Sequence, residues 1–319
     1  MNQKAALITI LLAVCNISFG QFTKINSGFT ANLFDIYFPS ADTGYIVGGD
    51  TRQSIFLKTT DGGNNWNSYT NPSTGWLYGV NFINNDIGFA CGHSGVMYKT
   101  TDGGDNWILL NTRTTEWIMS VHFVDANIGY AVGKEGLIIK TVDGGNSWTQ
   151  QTSRTRAWLV STFFTGINEG YAVGVDGVGL KTIDGGSTWN TFAPNTSNTL
   201  ADVFFINDST GFCAGANGTI IKTIDAGSTW QVLNSNSTNR LQSVSFLDSD
   251  NGYAVGDSST ILKTQDGGTT WVREASPAQE DLNEVFMIGS NIIIAADDGI
   301  ILKGQSAPNS LDTKTTNAI

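Results

Sequence analysis

Lys58-Thr59-Thr60-Asp61-Gly62-Gly63-Asn64-Asn65-Trp66 is the stretch from which the fold of this 319-residue chain is read. Its acid returns as Asp102, Asp143, Asp184, Asp225 and Asp266, and its indole as Trp107, Trp148, Trp189, Trp230 and Trp271, each 41 residues after the one before. A period that never slips marks one supersecondary unit copied head to tail, each copy needing its neighbours to bury its apolar face. The repeat runs nearly from end to end, so we expect a single domain over residues 21–304.

Within one copy, residues 76–111, four short runs rich in aromatic and β-branched residues are separated by Gly, Asn and Asp: Trp76 to Ile83, Gly88 to Gly92, Val96 to Thr100 and Trp107 to Asn111. Such runs predict a four-stranded antiparallel meander, one blade of a propeller. The 37 glycines and the low charged fraction of 14% suit an all-β chain with many tight turns.

Leu77, Val80 and Phe82 of the first run recur as Ile118, Val121 and Phe123, then as Leu241, Val244 and Phe246, and should face the space between blades. The second run carries Tyr45, Phe89, Tyr130, Tyr171, Phe212 and Tyr253 in one column. The third ends in Lys58, Lys99, Lys140, Lys181, Lys222, Lys263 and Lys303. A lysine repeated in every copy predicts architecture, the stems packing on apolar neighbours and the ammonium groups reaching water, rather than a basic binding patch.

Lys303 belongs to a seventh copy, with runs at Leu282 to Ile288, Ile292 to Ala296 and Ile300 to Lys303 but without an acid turn or tryptophan. Phe22 precedes Gly44 by 22 residues, as Trp66 precedes Gly88, so Phe22 to Asn26 fits the vacant fourth place. We therefore expect a seven-bladed β-propeller of four-stranded antiparallel blades, its last blade completed by the N-terminal strand, which leaves no open sheet edge at the join.

Lys4, the apolar run from Ala5 to about Val14, and the small residues of Ser18-Phe19-Gly20 predict a signal peptide over residues 1–20, cleaved near Gly20/Gln21. That run is too short for a membrane anchor and no second one follows, so the expected product is soluble and exported: periplasmic, at the cell surface or secreted. Leu12-Ala13-Val14-Cys15 loosely resembles a lipoprotein box, but valine stands where a small residue belongs, which argues against lipidation of Cys15. Residues 305–319 are polar and aperiodic and read as a disordered tail. Without Lys4 the basic residues number 16 against 28 acids, a net charge of −12. Such a body repels phosphate backbones and makes nucleic acid an unsuitable partner. Cys91 and Cys213 occupy non-equivalent places in different copies and are expected as free buried thiols.

The recurring turn explains itself physically. Asp accepts backbone N–H groups, Gly takes positive φ, and Trp fills the gap between blades. We read Asp61, Asp102, Asp143, Asp184, Asp225 and Asp266, with their six tryptophans, as structural; no nucleophile with a paired base and no metal-ligand set is implied.

These turns resemble the Asp-box, or BNR, repeat of sialidase-like propellers. Gly129-Tyr130-Ala131-Val132-Gly133 followed by Lys140 to Trp148 is more closely similar to the photosystem II assembly factor family, Ycf48- or Hcf136-like. That resemblance covers essentially the whole mature chain and implies a seven-bladed, exported, non-enzymatic propeller that binds a protein client. The chain departs from the pattern at Ala226 in place of glycine, at Asn65 and Asn106 in place of Ser or Thr, in a first blade three residues longer, and in the absent seventh box.

First and third strands begin on the face opposite the boxes, where the loops gather Trp76, Trp117 and Trp158 in adjacent blades with Arg113, Arg154 and Arg156. Trp and Arg are favoured at binding hot spots, so these residues form either a contact surface for a protein or glycan or, equally, spacers at the blade rims. The column Asp35, Gly79, Ser120, Ser161, Asp202, Ser243 and Glu284 should line the central channel. Its carboxylates, Asp35, Asp202 and Glu284, are a solvated wall, or a cation site, or the acid pair of a glycoside hydrolase, which needs about 5–9 Å between carboxyl groups. His122 reads as incidental and His93 as a loop residue; two isolated histidines make no metal centre. The leading expectation is a monomeric binding scaffold without cofactor or metal; the alternative is a sialidase-like or other glycoside hydrolase. The scarcity of glutamate, arginines confined to a few blades, and short turns such as His93-Ser94-Gly95 and Lys134-Glu135-Gly136 weigh against the enzyme.

Overall fold

The computed structural model describes residues 22–69 and 75–306. The expected leader, Cys15 and most of the expected tail lie outside them. The described residues form seven four-stranded antiparallel sheets, here numbered as blades 1 to 7 by first strand: Asn32–Tyr37, Leu77–Phe82, Ile118–Phe123, Leu159–Phe164, Leu200–Phe205, Leu241–Phe246 and Leu282–Ile288. Blade 3 is representative. Ile118–Phe123 is followed by Gly129–Gly133, Ile138–Thr141 and the short outer strand Thr149–Gln150, with Val121 opposite Ala131 and Tyr130 opposite Lys140. The outer strands are shorter than the sequence reading drew them, Ile108–Leu109 in blade 2 against the expected Trp107 to Asn111.

Blade 7 closes as expected. Its own strands Leu282–Ile288, Asn291–Ala296 and Ile300–Gln305 are completed by Phe22–Asn26, with Phe22 opposite Gly304 and Asn26 opposite Ile300. Phe22 is buried, and its ring meets Tyr253 of blade 6 edge-on at 6.0 Å.

The core lies between blades rather than within them. The second-strand aromatic of one blade stacks on the first-strand Phe of the next, as Phe89 on Phe123 at 3.5 Å and Tyr130 on Phe164 at 3.7 Å. The box tryptophan of that next blade then closes edge-on, Trp148 on Phe123 and Trp189 on Phe164, both at 5.9 Å. Each such pair adds about 0.5–1.5 kcal/mol to the area it buries. The close seating of the Phe explains the glycine that opens the second strand of blades 1 to 6: a Cβ at Gly129 would lie 2.6 Å from the Phe123 ring. Cys91 and Cys213 are buried free thiols, as expected.

The box is a hydrogen-bonded knot. In blade 3 the Thr141 hydroxyl donates to Asp143 Oδ1 (2.8 Å) and accepts from Gly145 N (2.9 Å). Asp143 in turn accepts from Ser147 N (2.8 Å) and, at Oδ2, from Ser147 Oγ (2.6 Å). These donors pull the Asp143 carboxyl down to about 2. The seven lysines are architectural, but their ammonium groups do not simply reach water. Lys99 crosses the Phe89 ring and donates to the carbonyl of Gly144 in the next blade's box (2.8 Å). Lys140, Lys181 and Lys222 do the same to Gly185, Ala226 and Gly267, and Lys303 closes the circle on Gly62 at 2.7 Å. Lys263 faces blade 7, which has no box, and pairs with Glu274 of its own blade instead (3.5 Å).

Candidate functional site

Gly144 N donates to Asn127 O and Gly103 N to Asp86 O, so the boxes share one face with the turns joining first and second strands. On the opposite face the carbonyls of Trp76, Trp117 and Trp158 accept from His93 N, Lys134 N and Val175 N. These bonds pin each tryptophan, one residue before its first strand, to the second-to-third-strand turn of its own blade. The side chains are therefore held where adjacent blades meet.

The structure brings the three tryptophans into one continuous arc, with two residues from the turns intercalated. His93 lies against Trp76 (5.4 Å) and Trp117 (4.6 Å), and Trp117 meets Trp158 edge-on at 5.7 Å. The Lys134 ammonium stands over both Trp117 (5.4 Å) and Trp158 (5.2 Å). Sequence reasoning named His93 and Lys134 as loop residues but not as members of the arc. The signal was available in the turn that returns each blade to the face where its tryptophan starts.

Arg113, Arg154 and Arg156 are exposed and, among the described residues, pair with no carboxylate. Arg113 and Arg154 also hold φ of 58° and 60°. The same place in the next two blade junctions carries Asn195 and Asn236, which tolerate that region better and use it, Asn195 Nδ2 donating to Trp230 O at 2.7 Å. The arginines hold the same turn conformation but make no such side-chain bond.

The arc also carries acids, Glu116 before Trp117 and Glu135 after Lys134, but its cations pair with none of them. Lys24 and Arg52 are consumed by Glu280 and Asp50, and Arg273 donates to Thr260 and the Ser258 carbonyl. Among the described residues, the cations of this face with neither an ion pair nor a side-chain hydrogen bond are Arg113, Lys134, Arg154 and Arg156 on the arc and Arg240 at the channel rim. Across the ring Asp257, Asp281, Asp297 and Asp298 gather, and burial together with those neighbours raises the Asp297 carboxyl above its ordinary range.

Asp35, Ser120, Ser161, Asp202 and Glu284 of the predicted column line a central cavity of about 460 Å³, whereas Gly79 and Ser243 are not among its lining residues. Every first strand has its pairing register shifted immediately before this column, as between Ile118 and Ser120. Side chains of the column accept backbone N–H groups of the next blade: Asp35 from Val80 (2.6 Å), Ser120 from Thr162 (3.3 Å), Ser161 from Val203 (3.2 Å), Asp202 from Val244 (3.0 Å) and Ser243 from Val285 (3.2 Å). Glu284 Oε1 accepts from Ser243 Oγ (2.5 Å). Burial raises all three carboxyls, Asp35 to about 7. His122 also lines the channel, and burial pushes its imidazole down to about 4. No three His, Cys, Asp or Glu side chains among the described residues could share a metal ion. Arg113, Arg154 and Arg156 do not line the channel; Arg240 is the one guanidinium among its lining residues.

The family model described as photosynthesis system II assembly factor YCF48 matches residues 15–115, 107–195, 187–273 and 230–313. No curated protein matches the chain by sequence. Among solved structures, the chain is similar to YCF48 bound to D1 peptide, with TM-score 0.77 and 19% identity over 92% of this chain and 98% of that one. It is similar also to YCF48 from Cyanidioschyzon merolae, with TM-score 0.73 and 21% identity over 89% and 98%. The WD40 β-propeller domain of Doa1 gives TM-score 0.73 at 13% identity over 91% and 99%. Identities this low speak to the fold alone.

Proposed function

This chain belongs to the photosynthesis system II assembly factor YCF48 family, and from that premise we propose that it is an exported, non-enzymatic scaffold that binds a protein client. The client docks on the arc of Trp76, Trp117 and Trp158 with Arg113, Arg154 and Arg156. The observation that carries this reading is the gathering of unpaired cations: in a chain of net charge −11, Arg113, Lys134, Arg154 and Arg156 make no ion pair among the described residues and lie beside three clustered indoles. Desolvated Trp and Arg are the residues that dominate binding energy at interfaces, and surrounding negative charge steers other acidic surfaces away from the rest of the body. A YCF48 structure containing a D1 peptide supports peptide binding as a task of this scaffold; the client here is any protein segment met after export, with residues 1–20 removed.

The test is paired capture from the native cell envelope with the wild-type protein and with Trp117→Ala/Arg154→Ala, both shown to melt at the same temperature. We expect a specific partner held by the wild type and lost from the variant. Undiminished capture by the variant overturns the assignment of the face, and hydrolysis of glycosides abolished by Glu284→Gln would replace the scaffold with an enzyme.

A further inference from the structure

The central channel contains more charge than the fold needs. Bonds from the column to the next blade's N–H groups are made by serine in three blades, at Ser120, Ser161 and Ser243, and Gly79 offers no side chain at all. A carboxylate at this depth is therefore surplus to the architecture in blades 1, 5 and 7. Enclosing an ionised carboxylate without a partner cation is costly, yet Asp35, Asp202 and Glu284 meet no Lys or Arg among the described residues. Glu284 makes the point most sharply. Its side chain is partly exposed and lines the channel, and Oε1 takes the Ser243 hydroxyl at 2.5 Å.

The cavity around these acids is graded. Toward the arc it is lined by Phe34, Tyr78, Met119 and Val160, with Tyr78 stacked on Trp117 at 6.0 Å. Toward the boxes it narrows on rings, Tyr37 against Phe286 at 5.5 Å and Phe163 against Phe204 at 5.8 Å. The carboxylates lie between these two apolar levels. Their spacing excludes shared ligation of a metal ion, but suits a cation with a body. We propose that the channel is a binding site for a primary ammonium carried on an apolar stem, the stem held by the aromatic mouth and the ammonium by Glu284, with Asp202 and Asp35 adding negative charge at longer range.

Aromatic faces add attraction for the ammonium itself, and a volume of about 460 Å³ falls in the range of small-ligand pockets. The titratable and charged groups facing the site are Asp35, Asp202, Glu284, His122, Tyr37, Tyr78 and, at the rim of blade 6, Arg240. His122 is neutral above about 4, so at neutral pH the carboxyls alone set the response. Since Asp35 takes up a proton near about 7, an ammonium ligand must displace that proton and binds better as pH rises.

Calorimetry on the intact mature protein tests this, with n-hexylamine as probe, 1-hexanol as its uncharged counterpart and the tripeptide acetyl-Gly-Lys-Gly-amide as the same cation on a peptide. We expect hexylamine to bind about 10-fold more tightly than hexanol, to weaken from pH 8 to pH 6, and to lose about 10-fold in Glu284→Gln, itself shown to unfold cooperatively well above the temperature of the titration. Because Asp202 also carries a blade-to-blade bond, Asp202→Asn is the second variant, its amide oxygen keeping that acceptor. Tripeptide binding that Trp117→Ala weakens, with hexylamine unaffected, assigns the ammonium to a lysine of a partner; hexylamine binding alone assigns it to a free amine. Equal affinity for hexanol and hexylamine, or amine affinity unchanged in both channel variants, overturns the site while leaving client capture on the arc untouched.

Discussion

The two faces of the ring are built from the same repeat and obey opposite rules. On the box face each position recurs and each charge is spent: Lys140 on Gly185 O, Lys222 on Gly267 O, Thr141 on Asp143 and Gly145. On the other face the tryptophans recur in only three blades, and Arg113 and Arg154 stand unpaired at positive φ. A repeat protein thus carries its own control. What returns in every copy holds the sheets together, and what departs from the copies is available for recognition.

The sharpest way to break this comparison is to remove the strand that makes the repeats a circle. Phe22–Asn26 is the outer strand of blade 7 and its Phe22 packs on blade 6. Deleting residues 21–30 should abolish cooperative unfolding or cause aggregation, because the Ile300–Gln305 edge is then open. An unchanged melting temperature would show that closure is not what stabilises the ring.

A smaller effect separates architecture from decoration on the box face. Thr141 is buried, and Thr141→Val keeps its shape while leaving Gly145 N without its acceptor. We expect a loss of about 2 kcal/mol in denaturant unfolding. Thr152, which belongs to no box, is exposed in the same blade, and Thr152→Val should change stability by less than about 0.5 kcal/mol. Equal effects at the two sites would deny the box its structural role.

Acidity sets the boxes against the channel. Hydrogen bonds from residues four positions on hold Asp61, Asp143 and Asp225 at about 2. A depressed carboxyl stabilises the fold above its unfolded value near 3.8, and that contribution fades as pH falls toward 2. Asp35 and Glu284 are raised by burial, so the folded state holds their protons more tightly than the unfolded chain does. Their contribution is complete below the unfolded values and is lost as pH climbs through about 7 for Asp35. His122 is depressed to about 4 and matters only below its unfolded value of 6.5. From pH 6.5 to 8 the melting temperature should therefore fall, and Glu284→Gln should flatten the fall. A curve rising over that interval would contradict the burial of these acids.

Nearly all the fold was legible in the chain, because a fixed period with Phe22 in the vacant register leaves one arrangement of strands. Less was legible of what crosses between copies. The reach of Lys99 to Gly144 O joins residues 45 apart, four more than the repeat, and such an offset shows only once blades are laid side by side. The same holds for Lys134 between Trp117 and Trp158. The column of Asp35, Asp202 and Glu284 could be drawn from the period, but that serine does the same structural work in three other blades needed the bonds themselves.

The smallest effect carries the comparison to one side chain. Arg154 holds φ of 60° where Asn195, at the equivalent place, holds 58° and ties its amide to Trp230 O. Arg154→Asn relieves the strain and sets the new amide within reach of the Trp189 carbonyl, by the repeat's own geometry. We expect a gain of about 0.5–1 kcal/mol in stability, read by denaturant unfolding, alongside weaker capture of the client. A protein that gains stability and loses its partner through one substitution has been trading the first for the second at that position. If Arg154→Asn lowers stability instead, the arginine is part of the frame, and the two faces follow one rule after all.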